Sequence, residues 1–397
     1  MAQQNLQELF DTFLNQQPNF TQKAALQEGY TPQDLPHREE QINQLASILV
    51  PALRGEKPSN VFIYGKTGTG KTLVSKYVAQ ELQKRAQKTN LSLNTYYFNC
   101  KMEKLNTPYR LLAHFLTELG EDIPPTGLPT EEVFKQFFKS LEKQNSVFVV
   151  ILDEIDAITN TDILYDLTRI NTELKNSKIT LVGISNDLSF TNDLDPRIKS
   201  SLSEEELVFP PYNALQLRDI LSQRATLALQ EDIIGAAVIP KCAALAAQEH
   251  GDARRALDLL RVACEIAERS GLSKISEEHV DLAQKKLDID RVVEVVRMQP
   301  KQSQIVLYSI IYLSDLNKNE IATGEAYEVY KNLCKNVRVK PLTQRRVSDL
   351  LSELGMLGMI STSVISKGRY GRTRTIELDI NGTALERCRA ILQQELT

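Results

Sequence analysis

The sequence predicts an α/β protein in which a doubly wound parallel sheet is followed by an all-helical region and a C-terminal winged-helix domain. Short apolar runs alternate with helical patterns as far as about residue 209, the arrangement of a parallel sheet with helices on both faces. The pattern is purely helical from about Ala225 to Asp288, and after Pro300 three helices precede alternating strands around a turn. We therefore expect domains at residues 1–224, 225–295 and 296–397.

Length and composition are typical of a modular globular protein. The chain has 397 residues, of which 42% are hydrophobic and 25% charged, and no apolar run approaches the ~18 residues of a membrane span. The N-terminus lacks the charged and apolar regions of a signal peptide, so we expect a cytoplasmic protein with no membrane partner. Five dispersed cysteines without a C-x-x-C pair favour neither a disulfide framework nor a zinc site. Because the net charge is −4, any affinity for nucleic acid must come from a local concentration of positive charge.

The first domain alternates strands and helices. Strands are expected at 59–64, 93–99, 146–152, 178–185 and 206–209, and helices at 71–88, 107–119, 130–143 and 162–175. The run VFVVIL at 147–152 is unbroken, as in a strand that is covered on both faces. In such sheets ligands bind beyond the carboxyl ends of the strands, so functional residues are expected directly after them.

The first strand leads into a complete phosphate-binding loop. Residues 65–72, the P-loop, have the sequence G-K-T-G-T-G-K-T, which matches G-x-x-x-x-G-K-[ST] in full between a strand and a helix. The glycines let consecutive backbone N–H groups turn inward, and the helix from about Lys71 adds its positive N-terminal end. Lys71 is expected to reach the β- and γ-phosphates, and the Thr72 hydroxyl to coordinate Mg²⁺. The sequence thus predicts that ATP or ADP is bound by Gly65, Lys66, Thr67, Gly68, Thr69, Gly70, Lys71 and Thr72.

Polar residues also follow two later strands. Asp153 is expected to hold Mg²⁺ together with Thr72, while Glu154 orients or deprotonates the attacking water in phosphoryl transfer. Asn186 follows the strand at 178–185, where its amide could fix that water, although a turn residue is the commoner explanation of an asparagine there. Asp156 is expected to cap a helix.

These motifs resemble, in kind and order, those of the AAA+ ATPases, and specifically those of the archaeal Orc1/Cdc6-type replication initiators. The resemblance covers nearly the whole chain and rests on LPHREEQINQLASIL, GKTGTGKT, LDEID, GISND, LDPRIKSSL, FPPYNALQLRDIL and GDARRALDLLR. It implies an AAA+ P-loop domain with a helical lid. It also implies that Asn186 is the sensor 1 residue, Arg197 an arginine finger acting in trans, Arg254 the sensor 2 arginine, and that Tyr212 and Arg224 contact ATP.

Local patterns bear on three of these implied roles. Tyr212 follows two prolines into a helix capped by Asn213, which could lay its ring near an adenine. Asp252 can cap the helix that carries Arg254 in its first turn. An arginine that follows Asp-Pro on a loop, as Arg197 does, is usually a surface residue. It could therefore act on a nucleotide only in an assembly, where it would reach the site of a neighbouring subunit.

The C-terminal domain carries a concentration of positive charge. Between Lys335 and Arg374 nine residues are basic and two are acidic. Arg345 and Arg346 follow the expected N-cap Thr343, where the helix dipole disfavours cations by roughly a few tenths of a kcal/mol, so DNA is expected to supply the missing anions. A basic, solvated wing without a ligand is the alternative. The candidate DNA contacts in this domain are Arg345, Arg346, Lys367, Arg369, Arg372 and Arg374.

The resemblance also implies a second DNA contact and a function. A helical insertion at 96–120 would touch DNA through Lys101 and Arg110, for which exposed helix charges are an equally good explanation. The implied function is ATP-dependent recognition of replication origins by a nucleoid-associated, slow ATPase that assembles with other initiator subunits and helps to load the replicative helicase. Two alternatives stay open: another AAA+ DNA-associated ATPase, such as a clamp-loader subunit or a remodeller, and a scaffold that binds ATP without hydrolysing it.

Overall fold

The computed structural model describes residues 18–27, 29–32, 34–124, 127–187, 189–190, 194–316, 321–366 and 372–396, with the backbone alone at 364–366 and 372–373. The chain forms two compact units, the first ending at Val280 and the second beginning at Asp281. Within the described ranges, no helix is both long enough and apolar enough to cross a membrane.

A five-stranded parallel sheet forms the centre of the first unit and confirms the predicted doubly wound sheet. Its strands are Val61–Tyr64 (β1), Leu93–Asn99 (β2), Val147–Asp153 (β3), Lys178–Ser185 (β4) and Glu205–Val208 (β5), within a residue or two of those predicted. They lie in the order β2-β3-β4-β1-β5. The helices among them are Glu39–Leu49, Lys71–Lys88, Pro108–Glu118, Thr130–Gln144, Asp162–Arg169 and Pro196–Leu202.

Strand β3 illustrates why its sequence is an unbroken apolar run. Successive side chains of a strand point to opposite faces of the sheet. Val149 and Ile151 pack into the core on one face, whereas Val150 and Leu152 pack into the core on the other. Since both faces of the sheet are covered by helices, the strand is buried over its whole length, and its carboxyl end is the first position where polar residues are accommodated.

One predicted helix is shorter than the sequence indicates. The helix expected at 162–175 ends at Arg169 and is followed by the 3₁₀ turn Ile170–Thr172. The side chain of Asn171 supplies the reason, because its Nδ2 donates to the Ile179 carbonyl and its Oδ1 accepts from the Ile179 N–H, both at 2.8 Å. These two bonds tie the segment to the start of β4 and so compete with continuation of the helix.

Further helices complete the described part of the first unit. They are Ala214–Ala228, Val238–Glu249 and Ala253–Arg269, and the helix Glu277–Met298 contains the limit between the two units. Asn213 caps the first of them, as predicted, and the structure adds a capping box with Gln216. The lid is therefore helical, as expected, while its limits at 225–295 stay a prediction.

The second unit is a winged helix, which confirms that part of the predicted fold. Its helices are Lys301–Asp315, Thr323–Asn336, Gln344–Met356 and Gly382–Leu396. Its strands are Ile321–Ala322 (β6), Ile360–Ser366 (β7) and Arg372–Leu378 (β8), and they form an antiparallel sheet in the order β6-β8-β7. Thr343 caps the third helix by accepting from the Arg346 N–H. The last helix was not predicted; it buries Cys388 and Leu392 in the core of this unit.

Candidate functional site

A cavity of about 400 Å³ lies at the carboxyl ends of the strands in the first unit. Its size is that of a site for a small molecule or cofactor. The cavity brings together predicted residues from several segments of the chain, namely Gly68, Thr69, Gly70, Lys71, Thr72, Asp153, Glu154, Asn186, Tyr212, Arg224 and Arg254. Of the predicted P-loop residues, Gly65, Lys66 and Thr67 are not among the residues that line it.

The P-loop holds its lysine beneath a glycine-dependent turn. Gly68 and Gly70 have φ angles of 68° and 89°, in the left-handed region that favours glycine. Lys71 Nζ donates to the carbonyl oxygens of Gly65 and Lys66, each at 2.7 Å. Burial lowers the pKa of Lys71 to about 8, against the opposing influence of Asp153. Because the Lys71 ammonium is largely removed from water, an anionic ligand would stabilise its charged form.

Asp153 lies at the centre of the expected metal site. Its Oδ2 accepts hydrogen bonds from Thr72 Oγ1 at 2.6 Å and from Tyr97 Oη at 2.8 Å, and its Oδ1 accepts from the Glu154 N–H at 2.9 Å. The hydroxyl and the carboxylate are the hard oxygen donors that Mg²⁺ prefers, so the residues present fit this ion. Sequence reasoning missed Tyr97, whose pKa is raised by burial and by the neighbouring Asp153.

Glu154 and Asp156 follow β3 in different conformations. Glu154 has a φ of 52°, a left-handed backbone that is uncommon for a residue other than glycine and that concentrates at functional sites. Glu154 is among the residues that line the cavity. The expectation that Asp156 caps a helix is wrong, because it lies within the 3₁₀ turn Ile155–Ala157 and accepts from Ser185 Oγ at 2.7 Å. Asp156 thus ties the exit of β3 to the end of β4.

The start of the helix Ala253–Arg269 lies against the P-loop. Asp252 caps this helix by accepting from the Arg254 N–H at 2.8 Å, as predicted. The Ala253 N–H donates to the Gly68 carbonyl at 3.2 Å, which joins the lid directly to the loop. Arg254 is exposed at the cavity wall, and Asn186 is exposed at the end of β4 on the same cavity.

Two aromatic–arginine pairs flank the rest of the cavity. The Arg224 guanidinium lies 4.5 Å from the Tyr30 ring centroid and donates to the Tyr30 carbonyl at 3.3 Å. Its buried Nη1 has no hydrogen-bond partner among the described residues. An orphaned donor beside a cavity fits a polar ligand such as a nucleotide. Tyr212 is paired with Arg38, a residue whose role sequence reasoning also missed.

Arg197 does not line the cavity of its own chain. It is in the first turn of the helix Pro196–Leu202, and its side chain is 72% exposed. Its Nε and Nη2 donate to the two carboxylate oxygens of Asp195 at 3.1 and 3.0 Å. This bidentate pair presents the guanidinium on the surface, where a neighbouring molecule could be reached.

The predicted DNA contacts lie on both units. Lys101 and Arg110 are exposed in the first unit, and Arg110 Nη1 donates to Asn106 Oδ1 at 3.2 Å.

The candidate DNA contacts of the second unit lie on one helix and on the wing. Arg345 and Arg346 are exposed in the first turn of the helix Gln344–Met356. Arg374 Nη1 donates to Ser352 Oγ of that helix at 3.0 Å. For Arg372, in β8, the structure describes the backbone alone, and Lys367 and Arg369 lie outside the described residues.

Family models match the chain in the order of its predicted domains. An AAA domain matches residues 54–189, a Cdc6 AAA+ ATPase-type lid domain matches 218–285, and the CDC6 C-terminal winged helix domain matches 294–387. Together they span more than half of the chain.

Relatives match along almost the whole length. The ORC1-type DNA replication protein 1 of Methanosarcina acetivorans is 52% identical over 396 residues, which cover 99% of this chain and 94% of that protein. The ORC1-type DNA replication protein of Thermococcus onnurineus is 52% identical over 382 residues, which cover 94% of this chain and 92% of that protein. Among solved structures, that of the Aeropyrum pernix Orc1 protein in complex with DNA has a TM-score of 0.82 and 45% identity, and covers 95% of this chain and 99% of that one. The chain belongs to the ORC1-type DNA replication proteins, which the resemblance of its motifs had implied.

Proposed function

We propose that this chain recognises origin DNA at the start of replication, with nucleotide binding as a switch and slow hydrolysis as its reset. The observation that carries the proposal is the cavity at which the P-loop, Asp153, Glu154, Asn186 and Arg254 converge. Membership of the ORC1-type DNA replication proteins supports the assignment to replication, and the Aeropyrum pernix relative solved with DNA supports a DNA partner.

The nucleotide would be held by residues from three sides of the cavity. The backbone N–H groups of residues 68–72 and the Lys71 ammonium would bind the phosphates. Tyr212 and the orphaned Nη1 of Arg224 would face the remainder of the nucleotide. Thr72 and Asp153 would hold Mg²⁺, which neutralises phosphate charge when it is bound.

Hydrolysis would depend on the polar residues at the strand exits. Glu154 is the proposed base that accepts the proton of the attacking water, and its strained backbone fixes where its carboxylate is presented. Asn186 would orient the same water from the end of β4. Arg254 would add a positive charge from the first turn of the lid helix, so that the phosphates are attracted by both the helix end and the side chain.

Arg197 is proposed to act on the nucleotide of a neighbouring subunit. Its exposed guanidinium is held by Asp195 and lies outside its own cavity lining. An arginine in this position can stabilise transition-state charge only in an assembly. We therefore propose that several initiator subunits come together on DNA. Helicase loading by that assembly is proposed on the family resemblance alone.

Sequence preference is proposed to reside in the helix Gln344–Met356. Arg345 and Arg346 are both exposed in its first turn, which is the part of a recognition helix that enters the major groove. Arg374 ties β8 to the same helix through Ser352, so the wing and the helix would approach DNA together. The exposed Lys101 and Arg110 are proposed as a second contact with the DNA backbone.

Nuclease footprinting on the organism's own origin-proximal duplex tests the proposal. With ATP, the parent chain should protect a defined site on that duplex and none on a random duplex. The double substitution Arg345→Ala and Arg346→Ala should remove the preference, whereas Arg387→Ala, which alters an exposed arginine on another helix of the same unit, should retain it. Equal protection of both duplexes by the parent chain would contradict origin recognition.

A further inference from the structure

We propose that Arg38 is a positioning residue that holds the P-loop in its phosphate-binding form. The inference deepens the proposed nucleotide site and rests on it. Arg38 is 2% exposed and does not line the cavity, so it would act on the nucleotide through the loop and not by direct contact.

The hydrogen bonds of Arg38 go to main-chain carbonyls. Its Nε donates to the Thr69 carbonyl at 2.8 Å, and its Nη2 donates to the Pro210 carbonyl at 2.6 Å. Its guanidinium carbon lies 3.8 Å from the ring centroid of Tyr212. None of the ion pairs among the described residues involves Arg38. Burying a cation that is hydrogen-bonded to main-chain carbonyls and lies on a ring face, with no carboxylate from the described part of the chain in direct contact, is costly, which favours a role beyond packing.

The bond to Thr69 fixes the direction of a P-loop N–H group. In a trans peptide the C=O and the N–H of the same unit point in opposite directions. When Arg38 binds the Thr69 carbonyl, the N–H of Gly70 must therefore face away from Arg38. Thr69 and Gly70 both line the cavity, so this is the face from which the loop would donate to a phosphate.

The loop, Arg38 and Tyr212 are in mutual contact. A Cβ added to Gly70 would lie 3.0 Å from Tyr212 Oη and 3.8 Å from Arg38 Nε. Tyr212 is itself bonded to the lid through its N–H and the Gly251 carbonyl at 3.2 Å. Arg38 thus links the phosphate-binding loop to the segment 210–212, which contacts the lid at Gly251, while the orientation of the Gly70 N–H depends on the bond from Arg38 to Thr69.

The test uses the full-length chain and compares its affinities for the two halves of the ligand, pyrophosphate and adenosine. ADP affinity is measured by calorimetry, and pyrophosphate and adenosine are measured by competition against ADP. Arg38→Met should weaken ADP and pyrophosphate by about tenfold or more, the effect of losing a charge-assisted hydrogen bond, and should weaken adenosine distinctly less. Arg261→Met is the matched control, because Arg261 is a partly buried arginine of the same unit that pairs with Asp258 and Glu265 outside the cavity; its ADP affinity should equal the parent's.

A second variant keeps the test decisive if Arg38→Met does not fold, as judged by circular dichroism. Arg38→Lys retains the charge but replaces the planar fork, whose Nε and Nη2 each bond one carbonyl, with a single nitrogen that cannot reproduce both donor positions, so its affinity for ADP and pyrophosphate should stay below the parent's. Parent-like pyrophosphate affinity in either folded variant, or an equal loss for adenosine and pyrophosphate, would overturn the role of Arg38. A parent chain that binds no ADP would instead overturn the proposed function.

Discussion

The contact between the lid and the P-loop predicts that a single methyl group at Gly68 costs more than its backbone conformation alone would require. A Cβ added there would lie 1.6 Å from Asp252 Oδ1 and 2.2 Å from Asp252 Cγ, so the carboxylate would have to leave. Asp252 would then lose its cap on the Arg254 N–H. We expect Gly68→Ala to lower the free energy of unfolding of the first unit.

The expected loss in the free energy of unfolding has two parts. Alanine at a φ of 68° costs about 1–2 kcal/mol relative to glycine. Losing the Asp252 cap adds about 1 kcal/mol. The total is about 2–3 kcal/mol. Gly55 supplies the matched control, because its φ is 71° and a Cβ there would meet nothing within 4 Å, so Gly55→Ala should cost only the first part, about 1–2 kcal/mol.

A double-mutant cycle separates the two parts. Free energies of unfolding are measured in urea by circular dichroism, since the chain has no tryptophan to report by fluorescence. Once Asp252→Ala has removed the obstructing carboxylate, adding Gly68→Ala should cost no more than Gly55→Ala does. If Gly68→Ala costs the same with and without Asp252, the Asp252 carboxylate does not lie against Gly68, and the lid is not held to the P-loop in this way.

Three further outcomes are expected. Lys71→Ala should abolish tight ATP binding in calorimetry, because it removes the fixed cation beneath the P-loop amides; unchanged affinity would exclude the assignment. Glu154→Gln should bind ATP like the parent chain but lose single-turnover hydrolysis, since an amide cannot accept the proton of water, and parental turnover would show that another group is the base. Replacing Arg345 and Arg346 by alanine should cost about 1–3 kcal/mol of discrimination for each bidentate base contact, measured as cognate against random duplex across a salt series; superimposable curves would remove both from the interface.

Much of the fold was predictable because its signals are local. Each of these signals depends on a few consecutive residues that are compatible with few other local structures. They are the P-loop, the unbroken apolar run before Asp153, and the helix caps Asn213, Asp252 and Thr343. The structure brings the P-loop, Asp153, Glu154 and Asn186 together because parallel strands present their carboxyl ends at one edge.

The parts that were missed depend on distant residues. Nothing near Asn171 in the sequence indicates that its amide will bond Ile179 and end a helix early. Tyr97 resembles any strand tyrosine until the sheet places it beside Asp153. Arg38 lies in the motif HREEQ, whose charges suggest an exposed helix start, whereas its burial is decided by Thr69, Pro210 and Tyr212.

The position of β1 in the sheet imposes an order on the folding of this protein during its synthesis. Val61 pairs with Val182 of β4 and with Glu205 of β5, both of which are made long after it. Because a nascent chain emerges from the ribosome with its N-terminus first, β1 waits for its partners until β5 has been released. A chain arrested before β4 would carry the entire P-loop motif without the sheet that supports it, so a nucleotide that binds at the P-loop could begin to stabilise this protein only when synthesis of its first unit is well advanced.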